Sequence, residues 1–126
     1  MSAGKVLVVD DEPIITDLIS KTLEKEGYQV TACHSAEEGL EKVRSNMPDL
    51  ILLDIGMPDV DGYEFCGRLQ KDEKFAKIPV IFLSGKSAEE DGGRSFELGA
   101  ATYIRKPFSN ASLTEVVNLT MSSITG

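Results

Sequence analysis

The chain has 126 residues and a formal net charge of −8, from 21 acidic and 13 basic side chains. This length suits one domain, which we expect over residues 1–126, with a core at about 4–124 and no output domain in this chain. The acidic balance argues against direct nucleic-acid binding, and no apolar run reaches the ~20 residues of a membrane helix. The N-terminus does not resemble a signal peptide. Cys33 and Cys66 are two separate thiols, which favours a reducing cytoplasm. We therefore expect a cytoplasmic protein whose partners include neither nucleic acid nor a membrane.

Short apolar runs alternate along the chain with longer segments of helical periodicity. The predicted strands are Val6–Asp10, Gln29–Cys33, Leu50–Asp54, Val80–Leu83 and Thr102–Ile104. Three of these runs are almost entirely apolar, as expected for parallel strands that are covered on both faces. The alternation predicts an α/β fold of the doubly wound (βα)5 type, with right-handed crossovers between the strands.

Five helices follow the strands, and each begins at a recognisable start signal. For the first four helices the signals are, in order, Pro13, Ser35 with Glu38, Asp61 with Glu64, and Ser87 with Glu90. The fifth helix is predicted to begin near Ser109. The apolar faces expected to be buried are Ile14, Ile15, Leu18, Ile19 and Leu23 in the first helix, and Leu113, Val116, Val117, Thr120 and Ile124 in the fifth. The first helix should stop at Gly27, and the second should end before Pro48. The fourth helix, Ser87 to Leu98, contains Gly92-Gly93 and should be the loosest element.

Polar side chains follow several of the predicted strands, at the edge where ligands bind in doubly wound sheets. The first strand ends on Asp10 with Asp11 next, Asp54 closes the third, Ser84 follows the fourth and Lys106 lies beyond the fifth. Each residue alone has an ordinary structural explanation, such as a helix cap or a solvated charge. Together, carboxylates about 5 Å apart would repel by about 3 kcal/mol per pair at an effective dielectric of ~20, so a cation is expected among them. Oxygen ligands without nearby His or Cys favour Mg²⁺ over zinc, and the set indicates phosphoryl transfer with Asp54 as nucleophile.

Four segments carry a family resemblance: VLVVDDEP at 6–13, DIGMPDVDG at 54–62, VIFLSG at 80–85 and GAATYIRKPF at 99–108. With these motifs the chain resembles a response-regulator receiver domain over nearly its whole length. The resemblance implies a flavodoxin-like fold with a five-stranded parallel sheet in the order 2-1-3-4-5. The resemblance also implies a metal site, in which Mg²⁺ (or Mn²⁺) is bound by Asp10, Asp11, Asp54 and the backbone carbonyl of Gly56. It implies that Asp54 accepts the phosphoryl group and that Lys106 contacts the phosphate. Ser84 and Tyr103 are the implied switch residues, and Pro107 is expected to follow a cis peptide bond. Glu12 is interpreted as a helix-start residue and not as a metal ligand.

Three positions depart from the commonest family pattern. Gly56 lacks the side chain that helps to tune dephosphorylation in the family, which leaves the phosphoryl lifetime open. Ser84-Gly85 replaces a frequent Thr-Ala and keeps the hydroxyl and the small size. Ala101-Thr102 replaces two acidic residues, which changes the surface beside the fifth strand and hence partner choice.

The resemblance implies a phosphoacceptor switch of a two-component phosphorelay. The resemblance also implies that the chain autocatalyses its own phosphorylation and dephosphorylation and is not a turnover enzyme. The implied partners are a sensor histidine kinase or a histidine phosphotransfer protein and an unknown downstream protein target, and a homodimer through the fourth-helix, fifth-strand and fifth-helix face is left open. Two alternatives are an aspartyl-phosphate phosphohydrolase and a receiver-like scaffold that is never phosphorylated. Against the first, Asp54-Ile-Gly lacks a second acid two residues on; against the second, a structural site has little reason to combine mutually repelling carboxylates.

Overall fold

The computed structural model describes residues 3–56, 62–85 and 102–125 of the chain, without the side chains of 124 and 125. Several predictions lie outside these described residues: the cap at Asp61, the fourth helix from Ser87 to Leu98 with Gly92-Gly93, the burial of Ile124, and the surface at Ala101.

Five strands form one parallel sheet. They are β1 (Lys5–Val9), β2 (Gln29–Cys33), β3 (Leu50–Asp54), β4 (Val80–Ser84) and β5 (Thr102–Arg105). Their spatial order is β2-β1-β3-β4-β5, and every neighbouring pair is parallel. The expected doubly wound sheet and its strand order are confirmed, and no predicted strand boundary is wrong by more than one residue.

Four helices lie within the described residues: α1 (Pro13–Lys25), α2 (Ala36–Ser45), α3 (Gly62–Gln70) and α4 (Asn110–Thr125). Alternate residues of β1 enter two separate apolar cores, with Leu7 and Val9 on one face and Val6 and Val8 on the other. The first core is closed by α2 and α3, and the second by α1 and α4. Because β3 and β4 are buried at every position, burial on both faces holds the middle of the sheet in place.

The α1 helix begins at Pro13 as predicted and ends just before Gly27, whose φ of +95° favours glycine. The prediction that Ile14 and Leu18 face the core is wrong, because they are 82% and 38% exposed. The buried positions of this helix are Thr16, Ile19 and Leu23, with Ile15 partly buried. The core-facing side of α1 therefore includes Thr16, a polar residue that hydrophobic periodicity does not predict to be buried.

Thr16 is buried because its hydroxyl has partners on both sides. It donates to the Pro13 carbonyl at 3.0 Å and lies 3.0 Å from Nε2 of His34. Since the hydroxyl proton is used on Pro13, His34 donates its Nε2 hydrogen to the Thr16 oxygen. This contact joins the first turn of α1 to the segment that follows β2.

The predicted starts of α2 and α4 are confirmed, and the capping box of α2 differs from the expected form in one contact. Ser35 Oγ accepts the Glu38 N–H at 3.2 Å, while the Glu38 carboxylate accepts the N–H of His34, and not that of Ser35, at 2.8 Å. At α4, Ser109 Oγ accepts the Ser112 N–H at 3.0 Å. Both arrangements satisfy backbone donors that a helix leaves free at its first turn.

The apolar face of α4 is largely the predicted one. Leu113 and Val117 are fully buried, and Val116 and Thr120 are partly buried. Met121, which was not among the expected core residues, is also buried. Among the helices that the structure describes, none combines the length and apolarity needed to cross a membrane.

Candidate functional site

Four carboxylates lie together at the carboxyl edge of the sheet. Asp10 follows β1 and Asp54 ends β3, and the register Val9 with Leu53 brings these two strand ends side by side. Asp10, Asp11, Glu12 and Asp54 each place one oxygen within 4.8 Å of the oxygens of the other three. We call these four residues the carboxylate cluster. Asp10 and Asp54 are buried, whereas Asp11 and Glu12 are exposed, so one side of the cluster faces the protein interior and the other faces solvent.

Backbone hydrogen bonds fix one oxygen of each buried carboxylate. Oδ1 of Asp10 accepts the Glu12 N–H at 3.0 Å, and Oδ1 of Asp54 accepts the Gly56 N–H at 3.1 Å. The Asp10 N–H itself donates to the Cys33 carbonyl of β2 at 3.0 Å. The two carboxylates are therefore oriented before any ligand binds, with the Oδ2 atom of each directed toward Lys106.

Lys106 supplies positive charge to this cluster. Its backbone N–H donates to the Ser84 carbonyl at 2.7 Å, which anchors the residue to the end of β4. Its Nζ lies 2.8 Å from Oδ2 of Asp10 and 3.7 Å from Oδ2 of Asp54. It also lies 3.4 Å from Oε1 of Glu12. The following Lys106–Pro107 peptide bond, expected to be cis, is cis in the structure.

The pKa values of Asp54 and Lys106 reflect both burial and the charges of the carboxylate cluster. Burial is the main cause that raises the pKa of Asp54, and the Asp10 and Asp11 charges add to it; the Gly56 N–H and Lys106 oppose the rise without cancelling it. Burial alone lowers the pKa of Lys106, but the hydrogen bond to Asp10 and the nearby carboxylate charges outweigh it, and the net pKa is raised. One ammonium therefore does not balance the carboxylates around it.

The chemistry of the cluster fits a hard divalent cation. Its donors are carboxylate oxygens, it contains neither His nor Cys, and its net negative charge exceeds what Lys106 supplies. The resemblance of the sequence to receiver domains, which generally bind Mg²⁺ at an acidic pocket, agrees with this chemistry.

Ser84 and Tyr103 occupy the neighbouring strands. Leu83 is the register partner of Asp54, so Ser84 lies one residue further along the same edge of the sheet, and it is buried. Tyr103 is the register partner of Phe82 and packs, half-buried, against the core that α2 and α3 close. The structure thus brings Asp10, Asp11, Asp54 and Lys106 into one site, with Ser84 beside it and Tyr103 on the adjacent strand.

Glu12 contributes more than the sequence suggested. It is the N-cap residue of α1, in agreement with its interpretation as a helix-start residue, but its side chain makes no cap hydrogen bond. The carboxylate instead joins the cluster and contacts Lys106. Its position directly after Asp10-Asp11 was the signal in the sequence, although spacing alone does not tell where the side chain points.

Comparison with known proteins agrees with this geometry. Residues 6–118 match the family of response regulator receiver domains. Over 104 residues the chain is 40% identical to the DNA-binding dual master transcriptional regulator RpaA of Synechocystis sp., and over 105 residues it is 42% identical to the alkaline phosphatase synthesis transcriptional regulatory protein PhoP of Bacillus subtilis. These matches cover 82% and 83% of this chain but 43% of each relative, so the chain spans less than half the length of these regulators.

A solved structure shows the same likeness in three dimensions. The CheY-like response regulator receiver domain protein of Methanospirillum hungatei superposes with a TM-score of 0.87 at 32% identity, covering 94% of both chains. The chain therefore belongs to the response regulator receiver domain family. It is a phosphoacceptor signalling domain of the two-component type, and the phosphohydrolase and scaffold alternatives are not favoured.

Proposed function

We propose that Asp54 is the residue that accepts the phosphoryl group in this chain. The observation that carries the proposal is the placement of a buried, backbone-oriented Asp54 carboxylate 3.7 Å from the Lys106 ammonium, inside a cluster of further carboxylates. An oriented carboxylate beside a fixed cation suits phosphoryl transfer, in which positioning and electrostatics provide most of the catalysis.

Each residue of the site has a defined part in the proposed transfer. An ionised oxygen of Asp54 attacks phosphorus and forms the acyl phosphate, while the bond to the donor breaks and its electron pair leaves with the donor. The Gly56 N–H holds the carboxylate in place. Lys106 moves from its carboxylate partners to the phosphoryl oxygens, and Ser84 and Tyr103 respond to the new group as switch residues.

The proposed metal ligands are Asp10, Asp11, Asp54 and the backbone carbonyl of Gly56, which would hold Mg²⁺ or Mn²⁺. When bound, the cation offsets the negative charge of the carboxylates and of the phosphoryl oxygens. Without it, burial and then the Asp10 and Asp11 charges raise the pKa of Asp54, and Lys106 does not offset this rise.

The proposed phosphodonor is the phosphohistidine of a sensor histidine kinase or of a histidine phosphotransfer protein. The phosphorylated domain then acts on a downstream protein target. A second proposed use of the same switch is self-association through a face that combines the helix predicted from Ser87 to Leu98 with β5 and α4. Because the product stays on Asp54, the chain acts as a phosphorylated switch and not as a turnover enzyme.

Intact mass spectrometry tests the assignment of Asp54. Incubation of the chain with acetyl phosphate and Mg²⁺ should add one phosphoryl group, and Asp54→Asn should abolish the addition. Asp49→Asn, an exposed aspartate at the opposite edge of the sheet, is the matched control and should leave the addition intact. Phosphorylation that persists in Asp54→Asn would contradict the assignment.

A further inference from the structure

Three carboxylates share the Lys106 ammonium unequally. The distances from Nζ are 2.8 Å to Asp10, 3.4 Å to Glu12 and 3.7 Å to Asp54. The two shorter distances run to the segment that follows β1, and the longest runs to the end of β3. In this geometry Lys106 is held on the β1 side of the carboxylate cluster.

The backbone of Glu12 is fixed, but its side chain is not committed to the helix that it begins. The Glu12 N–H donates to Asp10 Oδ1, and the Glu12 carbonyl accepts from the N–H groups of Ile15 and Thr16. The side chain makes no cap hydrogen bond and is 60% exposed, while those of Asp10 and Asp54 are 0% and 9% exposed. The Glu12 carboxylate is therefore directed to Lys106 from the solvent side.

We propose that Glu12 is a positioning residue that holds the Lys106 ammonium toward Asp10 and away from Asp54. This inference rests on the proposed function, in which Lys106 moves to the phosphoryl oxygens on Asp54. Without the Glu12 carboxylate, Lys106 keeps Asp10 and Asp54 as its anionic partners among the described residues, so its ammonium lies at Asp54 for a larger fraction of the time. An ion pair with one exposed partner supports a change of about two- to fivefold in such an equilibrium.

The rate of phosphorylation by acetyl phosphate at saturating Mg²⁺ measures this effect. Glu12→Gln should be phosphorylated about two- to fivefold faster than the original chain. In a Lys106→Met background the same substitution should produce no acceleration, because its effect passes through the ammonium. Glu24→Gln is the control: it removes the same charge from an exposed position of α1, about 18 Å further along the helix, and should leave the rate unchanged.

Three results would overturn the proposal. Equal acceleration in both backgrounds would mean that Glu12 acts only by its charge on the approaching phosphodonor. An unchanged or slower rate in Glu12→Gln would mean that Glu12 does not draw Lys106 away. Loss of Mg²⁺ binding in Glu12→Gln, measured by calorimetry, would make Glu12 a metal ligand instead of a positioning residue.

A double-mutant cycle on urea unfolding, without Mg²⁺, separates this inference from the proposed function. If the original chain is not phosphorylated at all, the proposed function fails, but the cycle still tests the contact. The effects of Glu12→Gln and Lys106→Met on the unfolding equilibrium constant should be non-additive, and those of Glu24→Gln and Lys106→Met should be additive. Additivity of the first pair would overturn the proposal. If Lys106→Met does not fold, a crystal structure of Glu12→Gln decides: Nζ closer to Asp54 supports the proposal, and an unmoved Nζ overturns it.

Discussion

The two edges of the sheet handle charge in opposite ways. At the amino edge, Oδ2 of Asp49 accepts the Lys5 backbone N–H at 2.8 Å, and Lys5 Nζ donates to the Asn46 amide oxygen at 3.1 Å. These groups are exposed, and each is matched with one neutral partner. At the carboxyl edge, three residues of the carboxylate cluster lie within 3.7 Å of one ammonium, and two of these three are buried. The carboxyl edge thus concentrates more negative charge than its ammonium balances, which is the basis for proposing that a ligand acts there.

The largest expected effect comes from removing the ammonium at the carboxyl edge. Lys106→Met should lower the free energy of unfolding by about 3 kcal/mol without Mg²⁺, because it leaves the buried Asp10 carboxylate uncompensated. Lys5→Met, the matched change at the amino edge, should cost no more than about 0.5 kcal/mol because that ammonium is exposed. Urea unfolding measures both values. Similar losses at the two edges would contradict the contrast drawn between them.

The second effect comes from adding the missing positive charge. Mg²⁺ at a hundredfold excess over its dissociation constant should stabilise the chain by about 2.7 kcal/mol. Asp11→Ala should remove this gain and leave the metal-free protein equally or more stable, since a repelling charge has gone. Thermal unfolding with and without Mg²⁺ gives both quantities. A variant that is destabilised without metal but still responds to Mg²⁺ would exclude Asp11 as a ligand.

Glycines at the two edges should respond to alanine in opposite ways. Gly4, at the amino edge, has a φ of +146°, so Gly4→Ala should cost about 1–3 kcal/mol in backbone strain. Among the described residues, an added Cβ at Gly56 would meet only Asp54 Oδ1, at an ordinary 3.7 Å, so Gly56→Ala should change the unfolding free energy by less than about 0.5 kcal/mol. Urea unfolding of both variants, together with the Mg²⁺ response of Gly56→Ala, tests this pair. A large loss at Gly56 would show that the carboxyl edge also depends on glycine for its shape.

The smallest effect is a gain. Asp54→Asn should stabilise the metal-free protein at neutral pH by no more than about 1 kcal/mol, because it removes a buried charge. Burial, with the Asp10 and Asp11 charges, raises the pKa of Asp54 in the folded protein, so the folded chain binds this proton more tightly than the unfolded chain. The stability of the original chain should therefore fall as pH rises from about 4, the ordinary carboxyl pKa, through the raised pKa, and then level off.

Chemical unfolding of both proteins across this pH range measures the linkage. The gain from Asp54→Asn should be complete above the raised pKa and should disappear near pH 4. A variant that is less stable than the original chain at neutral pH would mean that Lys106 outweighs burial and the neighbouring carboxylates at this position.

The strands could be predicted closely because apolar runs bounded by turn residues have few alternatives. The predicted bounds of β2 and β3 are those observed. The burial pattern of α1 could not be predicted from its apolar residues in the same way. Its five apolar residues cover more of the helix surface than the sheet can bury, and the buried Thr16 depends on a hydrogen bond to His34 that only the tertiary structure supplies.

At the site, sequence reasoning placed the right residue types at one edge because parallel strands end together. The meeting of Asp10, Asp54 and Lys106 follows from this rule together with the strand order. The contact between Glu12 and Lys106 did not follow, because the direction of a side chain at a helix start depends on local backbone angles and not on spacing.

The distribution of aromatic rings makes the two faces of the sheet optically distinguishable. The sequence contains three tyrosines and no tryptophan, so ultraviolet fluorescence comes from tyrosine alone. Tyr63 meets Phe82 edge to face at 5.7 Å between ring centres, in the core that α2 and α3 close, and Tyr103 packs against the same core. Tyr28 lies in the opposite core and donates its hydroxyl to Asn118 of α4 at 2.5 Å. Replacing Tyr28 with Phe would leave tyrosine emission from one face only, so this variant would report events at that side of the sheet without an added label.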